Sequence, residues 1–152
     1  MIGKNNYFSF ISIILILILS AGFAISHGLG LYGFGNDFHS SYYIQNYKFG
    51  HIFNKLGWII ATFSFNNFHL GVYFTTFILS ASFGFLLKKN FEIKYLNSSI
   101  FFTLIFLIGL HTWPIIMSTS NAMRQGLCMS MVFLALTFYM DKKILLSFLF
   151  IF

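Results

Sequence analysis

The chain has 152 residues, of which 58% are hydrophobic, 22% aromatic and only 8% charged. A soluble globular domain carries about 25% charged residues. Nine Lys/Arg and three Asp/Glu cannot clothe a water-facing surface, which excludes both a soluble domain and a disordered chain.

One Cys excludes a disulfide framework and a cysteine-based zinc cluster. The net charge of +6 forms no basic stripe, and six of the nine cations flank apolar runs, so nucleic acid is not an expected partner. The expected class is an all-α, polytopic integral membrane protein forming one domain over residues 1–152.

The first apolar run, Tyr7 to Ile25, has 19 residues with Lys4 before it. About 20 apolar residues cross a ~30 Å hydrocarbon core as a helix. A signal peptide competes, with Lys4 as its basic end and Gly22-Phe23-Ala24 as a small-x-small site. The run exceeds the usual 7–15 residues of a signal peptide, which favours a retained first helix.

Residues 28–68 form a loop expected outside the membrane. Within it, Ile52, Leu56, Ile59, Ile60 and Phe63 recur at helical spacing. A helix over 52–65 rises only about 21 Å, so an interfacial or partly re-entrant helix is expected, with Trp58 at headgroup depth.

The second span is expected at His69–Leu87, closed by Lys88-Lys89. The third is expected at Ile100–Met117 and the fourth at Ala122–Met140, closed by Asp141-Lys142-Lys143. A fifth run begins at Ile144 and stops at Phe152 after about 13.5 Å of helix. The expectation is four full spans and a truncated fifth, the front part of a longer polytopic protein. With the N-terminus in the cytoplasm, Lys4, Lys88, Lys89, Lys94, Lys142 and Lys143 fall inside, and Lys48, Lys55 and Arg124 outside. That arrangement satisfies the positive-inside rule.

Ser118 to Gly126 (STSNAMRQG) is the stretch richest in chemistry. Pro114 cannot continue a helix, and Ser118, Thr119, Ser120 and Asn121 are good N-cap residues, so the fourth helix begins here. Arg124 then lies in a first turn, where the helix dipole disfavours a cation by about 0.3–1 kcal/mol. A bound anion resolves the conflict, because free N–H groups and a guanidinium fork together suit phosphate. Snorkelling to lipid headgroups resolves it equally well.

Asp37 in the outer loop offers a general base or a hydrogen-bond acceptor for a sugar, against an Asx-type turn after Gly35-Asn36. His39 stands beside it. Tyr32, Tyr42, Tyr43 and Tyr47 suit sugar stacking or an aromatic belt. His111 inside the third run is a functional candidate or a helix–helix hydrogen-bonding group. Cys128 and Met residues 117, 123, 129, 131 and 140 read as packing residues. The five His show no H-x-x-x-H pairing, so neither metal nor cofactor is expected.

The run S-T-S-N-A-M-R-Q-G-L-C-M-S-M before an apolar helix resembles the EpsG-like branch of Wzy-type polysaccharide polymerases, with Asn121, Arg124 and Gln125 matching residue by residue. Gly35 to Tyr43 (GNDFHSSYY) looks like the family's G-x-D followed by Tyr in its first outer loop. Phe49 to Trp58 looks like the segment after it. The Tyr after Asp37 comes later than in the family, and Lys48-Phe49 replace an acidic residue and Pro. The resemblance covers roughly residues 32–139 of a family whose members are usually much longer.

The resemblance implies a glycosyltransferase-type polymerase in the bacterial cytoplasmic membrane. Such an enzyme joins polyprenyl-diphosphate-linked oligosaccharide repeats on the outer face, for exopolysaccharide, capsule or O-antigen. Asn121, Arg124 and Gln125 would hold the diphosphate, Asp37 or His39 would take the acceptor proton, and Tyr42 and Tyr43 would contact sugar. The lipid-linked oligosaccharide, the bilayer and other polysaccharide-export membrane proteins are the implied partners. Two other classes compete: a transporter or flippase of lipid-linked sugars, and an inactive truncated membrane protein. With four full spans, the chain is not expected to be catalytic by itself.

Overall fold

The computed structural model describes residues 2–31, 67–94, 96, 98–117 and 123–149, and within these all regular structure is helical. Helix α1 spans Ile2–Gly28, α2 Phe68–Ile93, α3 Ser99–Leu110, α4 Trp113–Met117, α5 Met123–Met140 and α6 Ile144–Leu149. Three of them contain segments long and apolar enough to cross a membrane: Tyr7–Gly28, His69–Ile93 and Met123–Met140. Four full spans plus a fifth are not reached among the described residues. The expected helix over 52–65 lies outside them.

At 27 residues, α1 rises about 40 Å and extends past both ends of the predicted run. It ends in a Schellman motif: Leu31 N–H donates to Ser26 O (3.0 Å) and Gly30 N–H to His27 O (2.9 Å). Gly30 supplies the left-handed residue this motif needs, at φ 76°.

The Lys88-Lys89 pair ends the apolar run but not the helix. Lysine is a good helix former, and Lys88 Nζ pairs with Glu92 one turn on at 2.6 Å, so α2 continues to Ile93. At its other end the Asn67 side chain accepts the Leu70 N–H at 3.3 Å.

The expected third span is two helices. A continuous helix would need an N–H at Pro114 to reach Leu110 O, and the pyrrolidine ring would press on that same carbonyl. The chain therefore leaves the helix at Leu110. His111 N–H is shared between Leu107 O (3.3 Å) and Ile108 O (3.1 Å), and Thr112 O then accepts from Ile115 and Ile116 to start α4. The 12 residues of α3 rise only about 18 Å, well short of a ~30 Å core.

The turn between α5 and α6 is a second Schellman motif, with Lys143 N–H on Phe138 O and Lys142 at φ 60°. The Ser147 hydroxyl then donates to Ala135 O at 2.8 Å and pins α6 back along α5.

Helices α1 and α2 run antiparallel. His69 Nδ1 lies 2.7 Å from Gly28 O at one end, and Phe8 stacks on Phe91 at the other. Helix α3 joins at the Phe8 end, where Phe102 meets Phe8 and Phe91 edge-on. Lys89 pairs with Asp141, just past the end of α5, so α2 and α5 run parallel. The core includes Phe8, Ile16, Phe23, Leu79, Phe91, Phe102, Phe106 and Leu110.

The surface is more apolar than a soluble protein's. Ile100 is 77% exposed and Leu145 85%, while Ser12, Ser20, Thr75, Thr76 and Ser80 are fully buried. Thr75, Ser80 and Ser82 return their hydroxyl protons to carbonyls of their own helix. Small polar residues inside and large apolar ones outside suit an apolar solvent.

Candidate functional site

Helix direction sorts the charged groups into two ends. Lys88, Lys89, Glu92, Lys94, Asp141, Lys142 and Lys143 gather where α2 and α5 finish. The starts of α2 and α5 and the finishes of α1 and α3 form the other end, which carries Arg124, His27, His69 and His111.

Arg124 is the second residue of α5 and is half-buried, between buried Met123 and exposed Gln125. Gly126 and Leu127 are buried next, and the Ser130 hydroxyl donates to Gly126 O at 2.7 Å. The first turn of α5 is thus anchored by its apolar side, with Arg124 at the boundary and Gln125 facing outward. Cys128, expected as a packing residue, is exposed. It lies one turn along from Arg124 on α5.

His111 is exposed, and its Nδ1 lies 2.8 Å from Leu107 O of its own helix. Its ring also meets the Phe23 ring at 5.6 Å, tilted by 68°. The same Phe23 ring is 4.5 Å from His27. His27 is 2% exposed and was not singled out from sequence. The signal was present: Ser12, Ile16, Ser20, Phe23 and His27 recur at helical spacing along the buried face of α1. A single aromatic ring therefore separates a buried imidazole on α1 from an exposed one at the end of α3.

This end offers imidazoles, which exchange protons, and a planar guanidinium, which binds oxyanions in two-point fashion. The opposite end offers ammonium groups, some already matched by carboxylates. No group of three or more His, Cys, Asp or Glu among the described residues is arranged to hold a metal ion.

The chain matches no family profile, no curated protein and no solved structure. Of the residues singled out from sequence, Arg124 and Gln125 lie at the histidine-bearing end. Asp37, His39, Tyr42, Tyr43 and Asn121 lie outside the described residues, as do Tyr32, Tyr47 and Trp58.

Proposed function

We propose that the chain works in a membrane polysaccharide polymerase that transfers an oligosaccharide from a polyprenyl diphosphate carrier to the next lipid-linked unit. The observation that carries this reading is Arg124, half-buried in the first turn of α5 at the bundle end opposite the lysines. The resemblance of Ser118–Gly126 to the EpsG-like polymerases supports it. By the positive-inside rule the lysine end, and the N-terminus with it, faces the cytoplasm, and Arg124 faces outward.

In the reaction the acceptor hydroxyl attacks the anomeric carbon of the donor sugar. The bond from that carbon to the diphosphate oxygen breaks, and the acceptor proton passes to a base, for which Asp37 and His39 are proposed. The diphosphate departs with increased negative charge, and fixed cationic donors placed where that charge develops lower the barrier. Arg124 supplies such a donor, with Gln125 and Asn121 as neutral partners.

A transporter or flippase of the same lipid-linked sugars is the second reading. The break between α3 and α4 at His111–Thr112 favours it, since transporters build substrate sites at interrupted helices.

One assay separates the two. The detergent-purified protein is incubated with polyprenyl-diphosphate-linked oligosaccharide and the products are resolved on a gel. A ladder of multiple repeats is expected, because polymerisation needs no sealed compartment. Single repeats only, from protein that remains folded and binds the substrate, would contradict the polymerase reading.

A further inference from the structure

An apolar groove of about 300 Å³ runs between α1 and α3, lined by Leu15, Ser99, Ile100, Thr103 and Leu104. Its α3 wall comes from the first turn and a half of that helix, within about 8 Å of the α3 start at the lysine end, and Leu15 of α1 closes the other side.

Among the lysines whose side chains are described, Lys88, Lys89, Lys94, Lys142 and Lys143 stand at that end with two carboxylates, Glu92 and Asp141. Lys88 and Lys89 are matched by Glu92 and Asp141. Lys94, Lys142 and Lys143 are exposed and form no ion pair among the described residues. Lys94 caps α2 and lies five residues before Ser99, the first residue of α3 and part of the groove lining. The first turn of α3 carries no acid to oppose a negative charge there.

We propose that this groove seats an acyl chain of an anionic phospholipid whose headgroup phosphate is held by Lys94. Charge complementarity selects the occupant. A zwitterionic lipid fills the groove equally well but gains little from the uncompensated Lys94 ammonium group, whereas an anionic headgroup gains from it. The groove is too apolar to hold a headgroup, so the phosphate sits at its mouth and the chain lies inside. The inference uses only the lysine end and stands apart from the polymerase reading.

The test is native mass spectrometry of the purified protein, counting retained lipid after exchange into phosphatidylglycerol or phosphatidylcholine. Phosphatidylglycerol should be retained over phosphatidylcholine. Lys94→Gln should lower its retention about fivefold, the effect of one near-surface lysine. Thr103→Phe, which fills the groove and keeps every lysine, should lower it too.

Glycerol 3-phosphate, the headgroup without chains, should not displace the lipid. Equal retention of the two lipids would overturn the proposal, as would unchanged retention in both variants. Displacement by glycerol 3-phosphate would show a headgroup site with no role for the groove, and would overturn it as well.

Discussion

Gly84→Val is expected to destabilise the bundle by about 1–3 kcal/mol or more, the usual cost of forcing extra carbon into a packed core. A Cβ at Gly84 would lie 2.9 Å from both Cγ1 and Cγ2 of Ile16 on α1 and 3.0 Å from Cζ of Phe106 on α3. Ile16 and Phe106 are both fully buried, so neither has room to swing away. At Gly84 on α2 three helices meet closely, and the larger residue must displace Ile16 of α1 and Phe106 of α3.

Gly109 makes a second close approach, with a Cβ there 2.5 Å from the Phe83 ring. Phe83 is only partly buried and can turn, so Gly109→Val should be milder. Gly22 is the control. Nothing lies within 4 Å of its Cβ position, and Gly22→Ala should be neutral or stabilising through helix propensity. Thermal unfolding in detergent reads all three. A Gly84→Val variant as stable as Gly22→Ala would refute the three-helix packing.

The second large effect is on activity. Arg124→Ala is expected to lower polymer formation by about 10²–10³, the scale seen when one donor to a developing negative charge is removed. Folding should survive, because a cation in a first helical turn is disfavoured by the helix dipole and its removal relieves that term. Arg124→Lys should fall between, since an ammonium keeps the charge and loses the planar fork. The expected signature is a melting temperature close to that of the parent chain, with product stalled at single repeats. Long polymer from a stably folded Arg124→Ala protein would remove Arg124 from the mechanism.

Much of the architecture is legible in the residues. The run Tyr7–Ile25 has no competitor but a signal peptide, and α1 covers it fully. Asp141-Lys142 marks the end of α5, while the polar cluster Ser118–Asn121 lies outside the described residues.

Two helix boundaries depart from the apolar pattern for physical reasons. Lys88-Lys89 resemble a stop signal in a hydropathy pattern, but Glu92 and Asp141 give them partners and the helix continues. Pro114 signals a break, yet the break falls upstream, because proline disturbs the carbonyl four residues before it and spares the turn that it begins.

The buried histidine on α1 was missed because an apolar run hides its own interior stripe. Ser12, Ser20 and His27 look like interruptions until the helix shows them on one face. Of the proposed site, the sequence shows which residue types occur in which order. It does not show which helix ends meet, and that is fixed by antiparallel pairing of α1 with α2 and parallel pairing of α2 with α5.

The central claim is that the Arg124 end of the bundle lies outside the cytoplasmic membrane and the lysine end inside. The chain has one cysteine, so a Cys128→Ser background allows a single reporter at each end. Leu31→Cys places a thiol just past α1 at the Arg124 end, and Lys143→Cys places one at the start of α6 at the other. Spheroplasts expressing each variant are treated with a membrane-impermeant maleimide, before and after permeabilisation. The account predicts that the Leu31→Cys protein labels in intact spheroplasts and the Lys143→Cys protein only after permeabilisation. The reverse pattern would put Arg124 in the cytoplasm, away from lipid-linked repeats on the outer face, and would contradict the account.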